Sequence, residues 1–130
     1  MRIIWKYDAQ MAKYIYIVED DEDIRFIVEY VLREEDYTVE SFATASAFNL
    51  AIQGNKPDLI ILDVMLPDGN GIDICRALKT NKRTGHIPII IMSAHAAEKS
   101  VLEEACADDF ISKPFDLNHF LHHVKQQLRA

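Results

Sequence analysis

Five short β-type runs recur along this chain, and between them the apolar residues switch to a helical period. The runs are YIYIV (Tyr14 to Val18), YTVESF (Tyr37 to Phe42), LIIL (Leu59 to Leu62), PIIIM (Pro88 to Met92) and DDFIS (Asp108 to Ser112). YTVESF alternates, as a half-buried strand does. LIIL and PIIIM are continuously apolar, the pattern of a strand covered on both faces. Helical spacing joins Ile24, Ile27, Val28, Val31 and Leu32, and then Phe48, Ala51 and Ile52, a segment broken by GNKP (Gly54 to Pro57). It returns at Ile72, Cys75 and Leu78, at Val101, Leu102 and Ala105, and along Leu117, Phe120, Leu121, Val124 and Leu128. Five strands alternating with five helices predict an α/β fold with a parallel sheet. Right-handed crossovers leave few topologies open.

The remaining sequence features bound this fold. At 130 residues the chain fits one domain. A domain of that size buries roughly two-thirds of the unfolded chain's surface, enough for a core without staples. Residues 1–11 lie outside the pattern and read as an N-terminal extension. Residues 12–130 read as the domain. No apolar window approaches the ~18 residues of a membrane span, and MRIIWKYDAQMAKY lacks the apolar stretch and cleavage site of a signal peptide. The expected location is cytoplasmic. Cys75 and Cys106 form no CxxC motif and read as reduced, structural thiols. A net charge of −7 argues against direct nucleic-acid binding, which calls for a basic patch.

In an open parallel sheet, ligands bind beyond the carboxyl ends of the strands. Glu19, Asp20 and Asp21 follow the first strand, Asp63 follows the third, Ser93 ends the fourth, and Lys113 and Pro114 follow the fifth. The topology should bring these groups together. Clustered carboxylates repel, which raises a pKa or demands a cation. Mg²⁺ takes one or two carboxylates, waters and phosphate oxygens. A carboxylate can also be a nucleophile that forms an aspartyl phosphate. Phosphoryl transfer then needs positioning and neutralised charge. Taken alone, Asp63 reads more readily as a turn or helix-cap residue, and Asp21 to Asp23 as a solvated helix start. The acidic run lacks the glycine and distal glutamate of a calcium loop. His119, His122 and His123 read as solvent-facing, although positions 119 and 123 share a helix face.

Together, YIVEDDEDIR, PDLIILDVMLPDGNG, PIIIMSA and ADDFISKPF resemble the receiver domain of two-component response regulators, chemotaxis-regulator-like, over about residues 12–129. The resemblance implies a doubly wound, flavodoxin-like five-stranded sheet in the order 2-1-3-4-5 with five helices. It implies that Asp63 is the phosphoacceptor, receiving a phosphoryl group from a sensor histidine kinase or a histidine phosphotransfer protein. Asp20 would bind Mg²⁺ directly, Glu19 through water, with Asp63 and the Met65 backbone carbonyl as further ligands. Ser93 and Lys113 would hold the phosphoryl group, with the Lys113–Pro114 bond cis. Phe110 matches an aromatic switch position, turning inward as Ser93 moves. The signal would pass to a downstream protein through the face of the fourth helix, fifth strand and fifth helix. Met65 and His95 match positions that tune dephosphorylation. The domain would modify itself and have no external product.

Departures and rivals follow from the same residues. Phe110 has no phenol hydroxyl. Cys106 stands where the family has glycine, at a cost of roughly 1 kcal/mol if φ is positive there. The short Ser93–Phe110 interval predicts a late or truncated fourth helix, and NHFLHHVKQQLR lacks the arginine pattern of DNA-binding dimers. An aspartate-nucleophile phosphohydrolase would carry an acid where Met65 stands. A phosphorylation-independent module of this fold would not need Glu19, Asp20, Asp63, Ser93 and Lys113 together. A further reading is a receiver cut from a longer transcriptional regulator or hybrid kinase.

Overall fold

The computed structural model describes residues 13–94 and 107–129. Five strands form one parallel sheet: β1 (Tyr14–Val18), β2 (Thr38–Phe42), β3 (Leu59–Asp63), β4 (Ile89–Ser93) and β5 (Asp109–Ser112), ordered β2-β1-β3-β4-β5. The order matches the doubly wound expectation. The helices are α1 (Glu22–Glu34), α2 (Ala45–Gly54), α3 (Gly71–Thr80) and α4 (Leu117–Arg129). The helix expected around Val101 to Ala105, residues 1–12, His95 and Cys106 lie outside the described residues.

The sheet divides the core by strand parity. On one face Tyr16, Val18, Ile60, Leu62, Ile91 and Phe110 pack under α2 and α3. On the other Ile15, Ile17, Ile61, Ile90, Met92 and Ile111 pack under α1 and α4. Every residue of β3 and β4 is buried, which explains their unbroken apolar sequence. Tyr16, Phe42 and Phe48 add edge-to-face contacts with ring centroids 5.0–6.2 Å apart.

Side-chain caps start two of the helices. Asp21 caps α1 by accepting from Ile24 N–H at 3.0 Å, and Thr44 caps α2 by accepting from Ala47 N–H at 3.1 Å. Three expected strands begin one residue later, at Thr38, Ile89 and Asp109. Pro88 has no N–H to donate, but its carbonyl accepts from Ile60 N–H at 3.1 Å, so it stands at the strand's threshold. One element was not expected. Met65–Leu66 and Gly69–Asn70 pair as a small antiparallel hairpin inside what reads as a plain turn.

Candidate functional site at the carboxyl edge of the sheet

The site is assembled by strand ends. Glu19 continues β1, its N–H donating to the Phe42 carbonyl at 2.9 Å, and its side chain is fully buried. Asp63 ends β3 in register with Met92, the residue before Ser93, and both Asp63 and Ser93 are buried. Lys113 N–H donates to the Ser93 carbonyl at 3.0 Å, which carries the lysine one step past β5 to the same edge. Its bond to Pro114 is cis, as expected.

The charged groups converge. Carboxylate oxygens of Glu19, Asp20 and Asp63 all lie within 4.8 Å of one another. Lys113 Nζ stands 2.7 Å from Glu19 Oε1 and 3.4 Å from Asp63 Oδ2. Glu19 Oε2 accepts from Asp21 N–H at 3.0 Å. Asp20 is exposed and opens the cluster to solvent. These residues, with Met65, Ser93 and Ala94, line one cleft. Asp21 also borders it, although its carboxylate serves as the α1 cap.

Burial pushes the Glu19 carboxyl above its ordinary value, an effect only partly offset by the Lys113 ammonium and the Asp21 N–H, and reinforced by the charge on Asp63. Burial alone would lower the Lys113 ammonium, but Glu19 and Asp63 outweigh it and hold the group above its ordinary value. One ammonium faces three carboxylates, so the cluster keeps an excess of negative charge on an all-oxygen donor set. That chemistry fits a hard divalent cation such as Mg²⁺.

Three residues outside the quoted motif roles shape this edge. Arg25 Nη1 donates to the Glu19 carbonyl at 2.8 Å and braces the acidic turn from α1. Gly71 N–H donates to the Val64 carbonyl at 2.7 Å, and a Cβ at Gly71 would stand 2.2 Å from the Asp63 carbonyl oxygen. Asp68 accepts from Ala45 N–H at 2.7 Å and Ser46 N–H at 3.0 Å, tying the hairpin to the start of α2. The backbone N–H groups of Ala45 and Ser46 hold its carboxyl below the ordinary range. The sequence signal for Gly71 is a second glycine placed against the strand end, in PDGNG.

Phe110 is buried on the α2 and α3 face, in register with Ile91. One expectation changes. The histidines of α4 are not all solvent-facing. His123 is half-buried and donates from Nδ1–H to Asp109 Oδ2 at 2.5 Å.

The comparisons agree with this geometry. Residues 15–125 match the response regulator receiver domain family. The chain is 34% identical over 121 residues to the phosphate regulon transcriptional regulatory protein PhoB of Rhizobium meliloti, covering 92% of this chain and 53% of that protein. It is 35% identical over 117 residues to the transcriptional regulatory protein GltR of Pseudomonas aeruginosa, covering 88% and 48%. The chain thus spans about half the length of the curated relatives it matches. The signal receiver domain of a signal transduction histidine kinase from Syntrophus aciditrophicus superposes with a TM-score of 0.84 at 32% identity, over 91% of each chain. A CheY-like receiver domain protein from Methanospirillum hungatei JF-1 does so at 0.82 and 28%, over 90% and 94%. No helix among the described residues is long and apolar enough to cross a membrane. The chain belongs to the response regulator receiver domain family, the phosphorelay receivers of two-component signalling.

Proposed function

We propose that the chain accepts a phosphoryl group on Asp63 from a phosphohistidine of a sensor kinase or histidine phosphotransfer protein. The observation that carries this reading is Lys113, whose ammonium spans the buried carboxylates Glu19 and Asp63 at one sheet edge. An Asp63 carboxylate oxygen attacks phosphorus. A P–O bond forms, the P–N bond to the imidazole breaks, and the electron pair stays on the leaving nitrogen. Lys113 swings from the carboxylates toward the incoming phosphoryl oxygens, and the Ser93 hydroxyl donates to one of them. Asp20, Asp63, Glu19 through water and the Met65 carbonyl would hold Mg²⁺. That ion would neutralise charge on the transferring group. Arg25 and Gly71 keep the two acidic strand ends in place.

Phosphorylation adds about −1.5 to −2 charges and new acceptor oxygens at this edge. Ser93 moves toward the phosphoryl group and the Phe110 ring, buried on β5, repacks in response, which passes the change to the β5 and α4 side and biases an existing equilibrium. The partner is a downstream protein and the setting is cytoplasmic. The domain catalyses only its own phosphorylation and dephosphorylation. Relatives named as transcriptional regulators, and a receiver within a histidine kinase, supply two settings for such a domain.

The test is incubation with Mg²⁺ and a small phosphodonor, followed by intact mass. The expected result is one added phosphoryl group in the wild type and none in Asp63→Asn. No gain in the wild type, or an equal gain in the variant, would overturn the reading.

A further inference from the structure

The far end of β5 holds a second cluster that the phosphorylation chemistry does not use. His119 and His123 stand one turn apart on α4, with their Nε2 atoms 3.1 Å apart and ring centroids 4.4 Å apart at 70°. His123 is anchored from behind. Its Nδ1–H donates to Asp109 Oδ2, while Asp109 Oδ1 accepts from Phe110 N–H at 2.8 Å. With both rings neutral, the proton order that satisfies both contacts leaves the His123 Nε2 lone pair facing His119, whose Nε2–H donates into it.

We infer that His119 and His123 form a two-imidazole chelate for a borderline transition-metal ion of the Zn²⁺ class, oriented by Asp109. Two imidazole nitrogens at about 2.0–2.1 Å from one metal, on adjacent coordination positions, lie about 2.9–3.4 Å apart. The observed separation is already in that range, so only a modest turn of the exposed His119 ring is needed to aim both lone pairs at one point. The Asp109 carboxylate favours the His123 tautomer that binding requires, protonated at Nδ1 with Nε2 left to ligate. A carboxylate behind a ligating imidazole is the usual device that fixes ring and tautomer in metal sites, and here that carboxylate is itself held by the backbone. On binding, the His119 proton moves from Nε2 to Nδ1, which frees Nε2 to ligate. The nitrogen donors also separate this site from the all-oxygen cluster at Asp63, which suits Mg²⁺.

Asp109 precedes Lys113 by four residues, which puts the two sites about 13 Å apart along the strand direction. A metal here would pin α4 to β5 without touching the phosphorylation edge. Water, or a donor from a docked protein, would complete its coordination.

The test is calorimetric titration of the full chain with Zn²⁺ in excess Mg²⁺, which keeps the acidic cleft saturated. One equivalent should bind to the wild type. His119→Ala and His123→Ala should each weaken binding at least tenfold, and Asp109→Asn about 10- to 100-fold. His122→Ala should change it less than twofold. His119 is exposed, so its alanine variant leaves the core intact and a loss of binding there reads on the site itself. Undiminished affinity in the His119→Ala/His123→Ala double variant, or no binding to the wild type, would overturn the inference.

Discussion

The Lys113 ammonium lies 2.7 Å from Oε1 of Glu19, a carboxylate with no exposure to solvent. A buried carboxylate tolerates its charge only with a partner, and removing one member of such a pair costs about 3 kcal/mol or somewhat more. Lys113→Met should therefore destabilise the domain by about 3 kcal/mol in Mg²⁺-free buffer, measured by urea unfolding. Added Mg²⁺ should restore more stability to this variant than to the wild type, because a bound cation replaces the lost ammonium. Equal Mg²⁺ stabilisation of both proteins would count against the cation-sharing geometry.

The same cluster sets a pH dependence. Burial raises the Glu19 carboxyl above its ordinary 4.5, with the Asp63 charge adding to the rise. A carboxyl raised on folding favours the folded state while protonated. Its contribution is full below the unfolded value and is lost as pH climbs through the folded one. Stability in chelator should thus fall on the alkaline side of pH 4.5 through this group, and Mg²⁺ should flatten the fall. Asp63→Asn removes one repelling charge. It should reduce the alkaline loss of stability in chelator, while losing the benefit of added Mg²⁺. Denaturation midpoints across pH, with and without the ion, measure both effects.

Gly71 argues from space. A methyl there meets the Asp63 carbonyl oxygen at 2.2 Å, and the contacted atoms are backbone, which cannot swing aside. Gly71→Ala should cost about 2–3 kcal/mol by overpacking. It should also slow phosphorylation about 10- to 100-fold, since a small displacement of a nucleophile is expensive in rate. Single-turnover labelling of the folded variant at low temperature separates the two effects.

How far the sequence reveals this molecule depends on the range of the interaction. LIIL and PIIIM are legible as buried central strands because their apolar runs report burial on both faces, and strand ends then place Glu19, Asp63, Ser93 and Lys113 on one edge. Asp21 reads correctly as a residue of the helix start, since capping is local. Arg25 does not announce itself: its guanidinium reaches back to the Glu19 carbonyl, a contact fixed only when α1 packs. The hairpin at Met65–Asn70 is hidden because PDGNG signals a turn without stating its register. His123 looks solvent-facing by periodicity, and only the pairing of β5 with α4 brings Asp109 beneath it.

Met65 stands two residues after Asp63, 66% exposed at the mouth of the cleft. Hydrolysis of an aspartyl phosphate needs a water aligned behind phosphorus, and a thioether offers only a weak acceptor for orienting it. A carboxamide at this position can hold such a water by both donor and acceptor. Met65→Asn should therefore shorten the lifetime of the phosphorylated form several-fold while leaving fold stability within ~0.5 kcal/mol, as expected for an exposed site. The decay of the phosphorylated species, followed by mass after the phosphodonor is removed, measures this. A variant that keeps its phosphate as long as the parent would show that water access at this edge is set elsewhere.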